Sequence, residues 1–489
     1  MIQLIENAKT YLENKAVIYN GASSTYKDLL ERSESIAQLL LGNRKDLEEA
    51  RIAFIVDPSF DYVAIQWGIW RAGGIAVPLC VKHPFASLEY VINDIRAEQI
   101  IYSEPYSELI SGFKEIKTIP INSFVTAKGD LPDVLSERRA MILYTSGTTG
   151  SPKGVVSTHD NIEAQIKSLV VAWEWSSSDH ILNVLPLHHI HGIINATGCP
   201  LWSGACLEFI ERFDPKMIFK VFIENKVNIF MAVPTIYFKL IAQFNSFPEG
   251  YQKTISDALM HFRFMVSGSA ALPISILEQW KVISGHTLLE RYGMTEMGMA
   301  ISNPYEVSGR KPGYIGQALP SIAVRLADEK DKEIEGKESG EIQIKGPNVF
   351  HEYWMRPEAT EESFTKDGWF KTGDIAVFEE GSYRILGRNS VDIIKSGGYK
   401  ISALEIEEVL RTYPGIIDCG VVGIDNEEWG ELVAASLIAN PSEIDLKALN
   451  SWLKAKLPNY KMPRKYIFQE DLPRNVMGKV IKKELKKLF

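Results

Sequence analysis

Cysteine is scarce in this chain. Its 489 residues hold Cys80, Cys199, Cys206 and Cys419, widely scattered and with no Cys-x-x-Cys pair. That excludes a disulfide-built scaffold and a cysteine metal cluster, and it predicts a reducing compartment. A basic excess is also missing: the formal net charge is −9, so nucleic acid is not expected as the main partner. No window of apolar residues long enough to span a bilayer is free of charge. The best, residues 63–80, contains Arg71 and the pair Gly73 and Gly74, and no membrane span is predicted. The first residues lack both the apolar core of a secretory signal and the arginines of a transit peptide, so a soluble, cytoplasmic protein is expected. Internal repeats and low-complexity segments are absent as well. Nothing in the sequence sets an oligomeric state.

What remains is a globular composition in a chain too long for one core, so two or three domains are expected. Strand-like and helix-like segments alternate. A helix is expected to open at Ser24, Thr25 and Asp28 and to run to Leu41; buried strands are expected over 51–56, 73–78, 141–143, 181–186, 227–234 and 262–267. That rhythm implies an α/β protein with doubly wound parallel sheets and a ligand site at the strand C-termini. The polar stretch 328–339 reads as a surface hairpin or loop. Half-buried strands follow over 340–346 and 383–387. The texture changes near residue 388. Ser402 and Glu405 form a capping-box pattern opening a helix to Leu410 before Pro414, then come a strand over 421–424, a helix over 446–457 and a last basic helix from Lys479. The expected division is 1–388 for a large N-terminal domain and 389–489 for a small C-terminal one, with the linker at 388–392.

The chemistry-bearing motifs begin after residues 141–143. Tyr144 is followed by Thr145, Ser146, Gly147, Thr148, Thr149, Gly150, Ser151, Pro152 and Lys153. Glycines let backbone N–H groups approach an anion, hydroxyls add donors and the lysine adds charge, so this loop reads as a phosphate cradle. Its spacing is neither that of P-loop NTPases nor Gly-x-Gly-x-x-Gly. Further on, Tyr292, Gly293, Met294, Thr295 and Glu296 follow an apolar run; Thr295 can meet a phosphate and Glu296 can hold Mg²⁺. Asp374 follows Thr372 and Gly373, suited to a ribose diol, with Arg388 shortly after. Lys479 follows Gly478 close to the C-terminal residue.

In this order the motifs resemble the adenylate-forming superfamily of acyl-CoA synthetases, firefly luciferase and peptide-synthetase adenylation domains, from about residue 20 onward. The resemblance implies an α/β fold: a large domain of doubly wound sheets plus a β-barrel-like subdomain, and a small, mobile α+β domain that rotates between two half-reactions. It implies ATP, Mg²⁺ and coenzyme A as reactants and cofactors, with a small carboxylic acid activated to an acyl-adenylate and then passed to a thiol. Position by position, Thr145 to Gly150 with Lys153 resemble the phosphate loop, with Thr148 beside the metal. Gly268, Ser269 and Ala270 resemble the adenine-side segment, and Glu290, Tyr292, Gly293 and Met294 the stretch along the adenylate. Glu296 resembles the Mg²⁺ carboxylate, Asp374 the ribose acceptor and Arg388 a second ribose or phosphate contact. Lys479 resembles the lysine that stabilises charge during adenylation, and Gly398 belongs to a loop resembling the coenzyme A channel. One departure is visible: the segment from Gly387 to Ile394 carries one residue more than the family's usual hinge pattern, and Ser390 is the expected hinge.

Within the superfamily, Leu288 to Met297, Ser302 to Tyr305, Gly346 to Phe350 and Leu472 to Lys479 resemble malonyl-CoA synthetases. Arg291 precedes the Tyr292–Gly293 pair. Malonate has a second carboxylate, and a buried charge without a partner costs several kcal/mol, so a dicarboxylate pocket needs such a cation. Lys239 is a second candidate cation. His189 and His191 resemble the segment gating the acid pocket, His189 among catalytic residues and His191, with Ser267, against the acid. No carboxylate or cysteine nearby completes a zinc site around these histidines. Two rival readings stay open: ligation of another acid (methylmalonate, a fatty or aryl acid), and a non-catalytic nucleotide-binding module on the same fold.

Overall fold

The computed structural model describes the chain apart from residues 1, 146–151, 225, 335, 337, 389–390, 397–398 and 475–477. Two large twisted sheets make up most of it. In the seven-stranded one, Arg51–Ile55 pairs in parallel with Ile75–Pro78 on one side and Gln99–Tyr102 on the other. These strands are almost continuous buried apolar runs, as strands covered on both faces must be. The helix Tyr26–Leu41 packs with Phe60–Arg71, burying Leu29, Ile36, Leu40, Trp67 and Trp70 in the main core. Its start is set locally: the Thr25 hydroxyl accepts the Asp28 N–H while the Asp28 carboxylate accepts the Thr25 N–H.

The nine-stranded sheet places His180–Asn183, Ile229–Ala232, Phe264–Ser267 and Leu289–Met294 side by side and parallel. Their registers put Ala232 beside Ser267 and Ser267 beside Glu290, so two strands end at one level while Leu289–Met294 runs on beyond them. A four-stranded antiparallel sheet follows, from Ala323–Ala327 through Gly340–Lys345 and Phe370–Glu379 to Ser382–Arg388, where the barrel-like subdomain is expected. Residues 328–339 connect its first two strands.

The last sheet has five strands between Ile393 and Phe468, faced by the helices Ala403–Arg411 and Leu446–Lys454 around a core of its own. Ser402 caps the first of these helices by accepting the Glu405 N–H at 3.2 Å, but the Glu405 carboxylate turns to Lys461 at 2.6 Å instead of closing the box. The basic tail forms a shorter helix than expected, Lys482–Lys486. Gly478 at φ +76° turns the chain and Arg474 bridges to Val480, so helix cannot begin at Lys479. Among the described residues no helix is long and apolar enough to cross a membrane.

Candidate functional site

The strand Leu289–Met294 runs into a tight antiparallel hairpin with Gly298–Ser302, and Thr295, Glu296 and Met297 form its turn. Glycine is required at 298: φ is +58° and a Cβ there would lie 1.2 Å from the Gln165 amide nitrogen. Because side chains alternate along a strand, Arg291 points to one face and Glu290 and Tyr292 to the other. That alternation sorts the site into two halves.

On the Tyr292 half, the Tyr292 hydroxyl donates to Asp374 Oδ2 at 2.6 Å and Arg388 Nε donates to Asp374 Oδ1 at 3.0 Å. Asp374 and Arg388 face each other across the antiparallel pair Phe370–Glu379 and Ser382–Arg388. A carboxylate offers about four lone-pair sites, so Asp374 retains room for a diol. Burial, then the Asp374 charge, pushes the Tyr292 phenol well above its usual range, so it acts only as a donor. Glu290 is buried, accepts the Gly313 N–H at 2.9 Å, and burial pushes it up to about 8, which leaves it mostly neutral at pH 7.

At the turn, the Tyr353 hydroxyl donates to Glu296 Oε1 at 2.9 Å, and Lys153 Nζ lies 5.0 Å from the centre of the Tyr353 ring. Thr145 and Lys153 pair across the hairpin formed by Arg139–Thr145 and Lys153–Thr158. Thr145 and Lys153 thus stand opposite each other, and the segment that resembles a phosphate loop runs between these two strands. Its members Ser146, Gly147, Thr148, Thr149 and Gly150 lie outside the described residues, as do Ser390 and Gly398. Both ends of that loop are tied to the helix Phe85–Ile95. Tyr144 donates to Asp94 Oδ2 at 2.5 Å, and Tyr90 donates to the Pro152 carbonyl at 2.8 Å. Nothing in the sequence marks Tyr90 and Asp94, because they sit in an ordinary amphipathic helix.

On the other half, Arg291 is 4% exposed, and burial pushes its guanidinium down to about 9. Its Nη2 makes a long 3.4 Å bond to the Ser269 hydroxyl, which also meets His191 Nδ1 at 3.2 Å. No carboxylate pairs with it among the described residues. Arg291 Nε, Ser267 Oγ and the Nε2 atoms of His189 and His191 are all buried without a hydrogen-bond partner. Buried polar atoms are rarely left so, and a cluster around a cation is the signature of an anion site. Burial pushes His189 down to about 4 and His191 well below its usual range, so both imidazoles are neutral at pH 7 and the charge here is that of Arg291 alone. Ser269 holds φ +68°, a left-handed backbone uncommon for serine and found where a site is over-determined. Gly268 supplies the space: a Cβ there would lie 2.3 Å from Arg291 Cζ. Gly268→Ala is therefore expected to displace the guanidinium and raise the KM for the acid about tenfold or more while leaving the KM for ATP nearly unchanged; equal KM values for the acid in variant and parent would contradict it.

Comparison with known families identifies the chain at the level of the whole fold. The model for AMP-binding enzyme matches residues 4–354, and that for AMP-binding enzyme C-terminal domain matches 405–479. The chain belongs to the AMP-binding enzyme family. Human mitochondrial malonate–CoA ligase ACSF3 is 42% identical over 97% of this chain and 90% of its own length. The malonate–CoA ligase of Arabidopsis thaliana is 39% identical over 96% and 86%. The ATP-bound crystal structure of MatB from Rhodopseudomonas palustris superposes with a TM-score of 0.91 at 31% identity, covering 100% of this chain and 98% of that one.

One expected site residue of this AMP-binding enzyme falls elsewhere. Lys239 is not brought into the Arg291 cluster: its side chain is exposed and lies 5.5 Å from the centre of the Phe213 ring. Its position on the helix Pro234–Asn245 explains this, since Tyr237 and Leu240 take the buried face. Lys479 is exposed on the Gly478 turn, and that turn abuts the large domain: a Cβ on Gly478 would lie 2.8 Å from Thr235 Cγ2. Thr235 directly follows Pro234, just beyond the strand end that pairs with Ser267. Thr295 and Met294 lie in and beside the Glu296 turn, and Ala270 follows the Ser269 bend.

Proposed function

We propose that this AMP-binding enzyme ligates malonate to coenzyme A, using ATP and releasing AMP and pyrophosphate. One observation carries the choice of acid: Arg291, a buried guanidinium with no carboxylate partner among the described residues, whose own Nε and the Nε2 of neighbouring His191 are buried without hydrogen bonds. An uncharged acyl tail would leave that cation desolvated and unpaired, whereas the distal carboxylate of malonate neutralises it. With both histidines neutral and Lys239 pointing away, the pocket offers one positive charge for one extra carboxylate.

In this reading the reacting carboxylate of malonate attacks the α-phosphorus of ATP, a C–O–P bond forms, and the bond to pyrophosphate breaks. Like charges approach, so fixed cations must offset them. Lys153 and Lys479 supply charge, and Asp374 with Arg388 holds the ribose. Glu296 would hold Mg²⁺: its carboxylate is fixed by Tyr353, and Mg²⁺ is commonly bound by one or two carboxylates with phosphate oxygens. Held there, the ion would offset negative charge on the phosphates. In the second half-reaction the coenzyme A thiol, losing its proton, attacks the acyl carbon and AMP leaves. We place the boundary between the two domains at 388 and 389, and a cytoplasmic location fits the four free cysteines; fractionation of tagged cells tests the latter.

A pyrophosphate-release panel over malonate, methylmalonate, acetate, octanoate and 4-coumarate tests the assignment. Malonate is expected to give the highest kcat/KM, and acetate or octanoate outperforming it would sink the proposal.

A further inference from the structure

A chain of charged side chains crosses the small domain from the linker to the Lys479 turn. Asp392 Oδ2 accepts the Arg388 N–H at 3.1 Å, and its Oδ1 lies 3.8 Å from Lys482 Nζ. Lys482 donates to Glu407 Oε1 and, at 2.7 Å, to the Val421 carbonyl. Arg411 joins Glu407, at 3.4 Å, to Asp418, at 3.0 Å. Arg474 then bonds Asp418 and donates to the Gly478 carbonyl at 2.7 Å. The middle of this chain is deeply buried: the side chains of Lys482, Asp392 and Glu407 are 10%, 9% and 5% exposed.

We propose that this network is a positioning frame for Lys479, with Arg474 and Asp418 as the positioning residues that fix the Gly478 turn. Buried ion pairs rarely add net stability over apolar packing, whereas they do set geometry. Each member here is held by the next, and the two ends are the linker and the turn that bears Lys479. An exposed lysine on a glycine turn loses much rotational freedom when delivered to a phosphate, and effective catalysis needs that freedom restricted beforehand. Arg474 contributes by holding the carbonyl of Gly478, which fixes the backbone from which the Lys479 side chain projects. Arg474 touches neither substrate nor nucleotide in this account; it acts through Lys479.

The inference rests on the adenylation role read for Lys479, and the experiment separates the two. Arg474→Met and the isosteric Asp418→Asn are compared with the parent in ATP–pyrophosphate exchange, in thioester formation from preformed acyl-adenylate and coenzyme A, and in the Lys479→Ala background. The acid is whichever the panel favours. Exchange kcat is expected to fall about tenfold to fiftyfold with KM values within about twofold, while thioester formation stays within about threefold. In the Lys479→Ala background Arg474→Met is expected to cost nothing further, because residues acting through one group are not additive. Unchanged exchange, equal loss in both half-reactions, or the same fold-loss without Lys479 would each overturn the frame. Full exchange activity in Lys479→Ala alone would instead overturn the role read for Lys479.

Discussion

Lys479→Ala is expected to slow adenylation by about 10²–10³-fold, the cost of deleting one preorganised charge from a site where anions meet. The second half-reaction is expected to survive. Thioester formation brings a thiol to an acyl carbon, with no second anion driven onto the α-phosphate, so the lysine's charge is no longer needed there. The Gly478 turn abuts Thr235 beside the strand ends, a placement that suits the first half-reaction. Supplying malonyl-adenylate with coenzyme A isolates the second. Equal losses in both would mean that the lysine supports the fold or stays in the site throughout.

Arg291→Leu is expected to reduce kcat/KM for malonate by about 10²-fold or more, since a carboxylate would then be buried against an apolar side chain. ATP binding is expected to persist, because Tyr292, Asp374 and Arg388 lie on the opposite face of the strand. The same variant is expected to gain on acetate or butyrate relative to malonate. Near-parental malonate kinetics would show that Arg291 serves the fold alone.

The architecture was legible because strands buried on both faces write themselves as apolar runs, as at Arg51–Ile55 and Ile229–Ala232. Helix starts were legible where capping chemistry is local, as at Thr25 and Asp28. Motif residues that lie far apart in the chain meet in space, as Tyr292, Asp374 and Arg388 do. Side-chain direction was not legible. Lys239 has the right charge and sits near the strand ends, yet its place on the helix turns it outward to Phe213. Tyr90 and Asp94 were invisible for the opposite reason: they act on the ends of the phosphate loop through long-range hydrogen bonds that leave no local pattern.

The unpaired guanidinium has a consequence for how such a sequence drifts. Every folded molecule bears the desolvation of Arg291 whether or not acid is present, a burden of several kcal/mol that an apolar residue would remove. Loss of the arginine is therefore thermodynamically downhill, and the same step admits acids without a second charge. A lineage under selection for robustness alone would slide toward monocarboxylate ligases, and dicarboxylate recognition persists only where function is selected continuously. The Arg291→Leu variant makes this measurable: a higher Tm than the parent in the absence of acid accords with it, and a lower Tm refutes it.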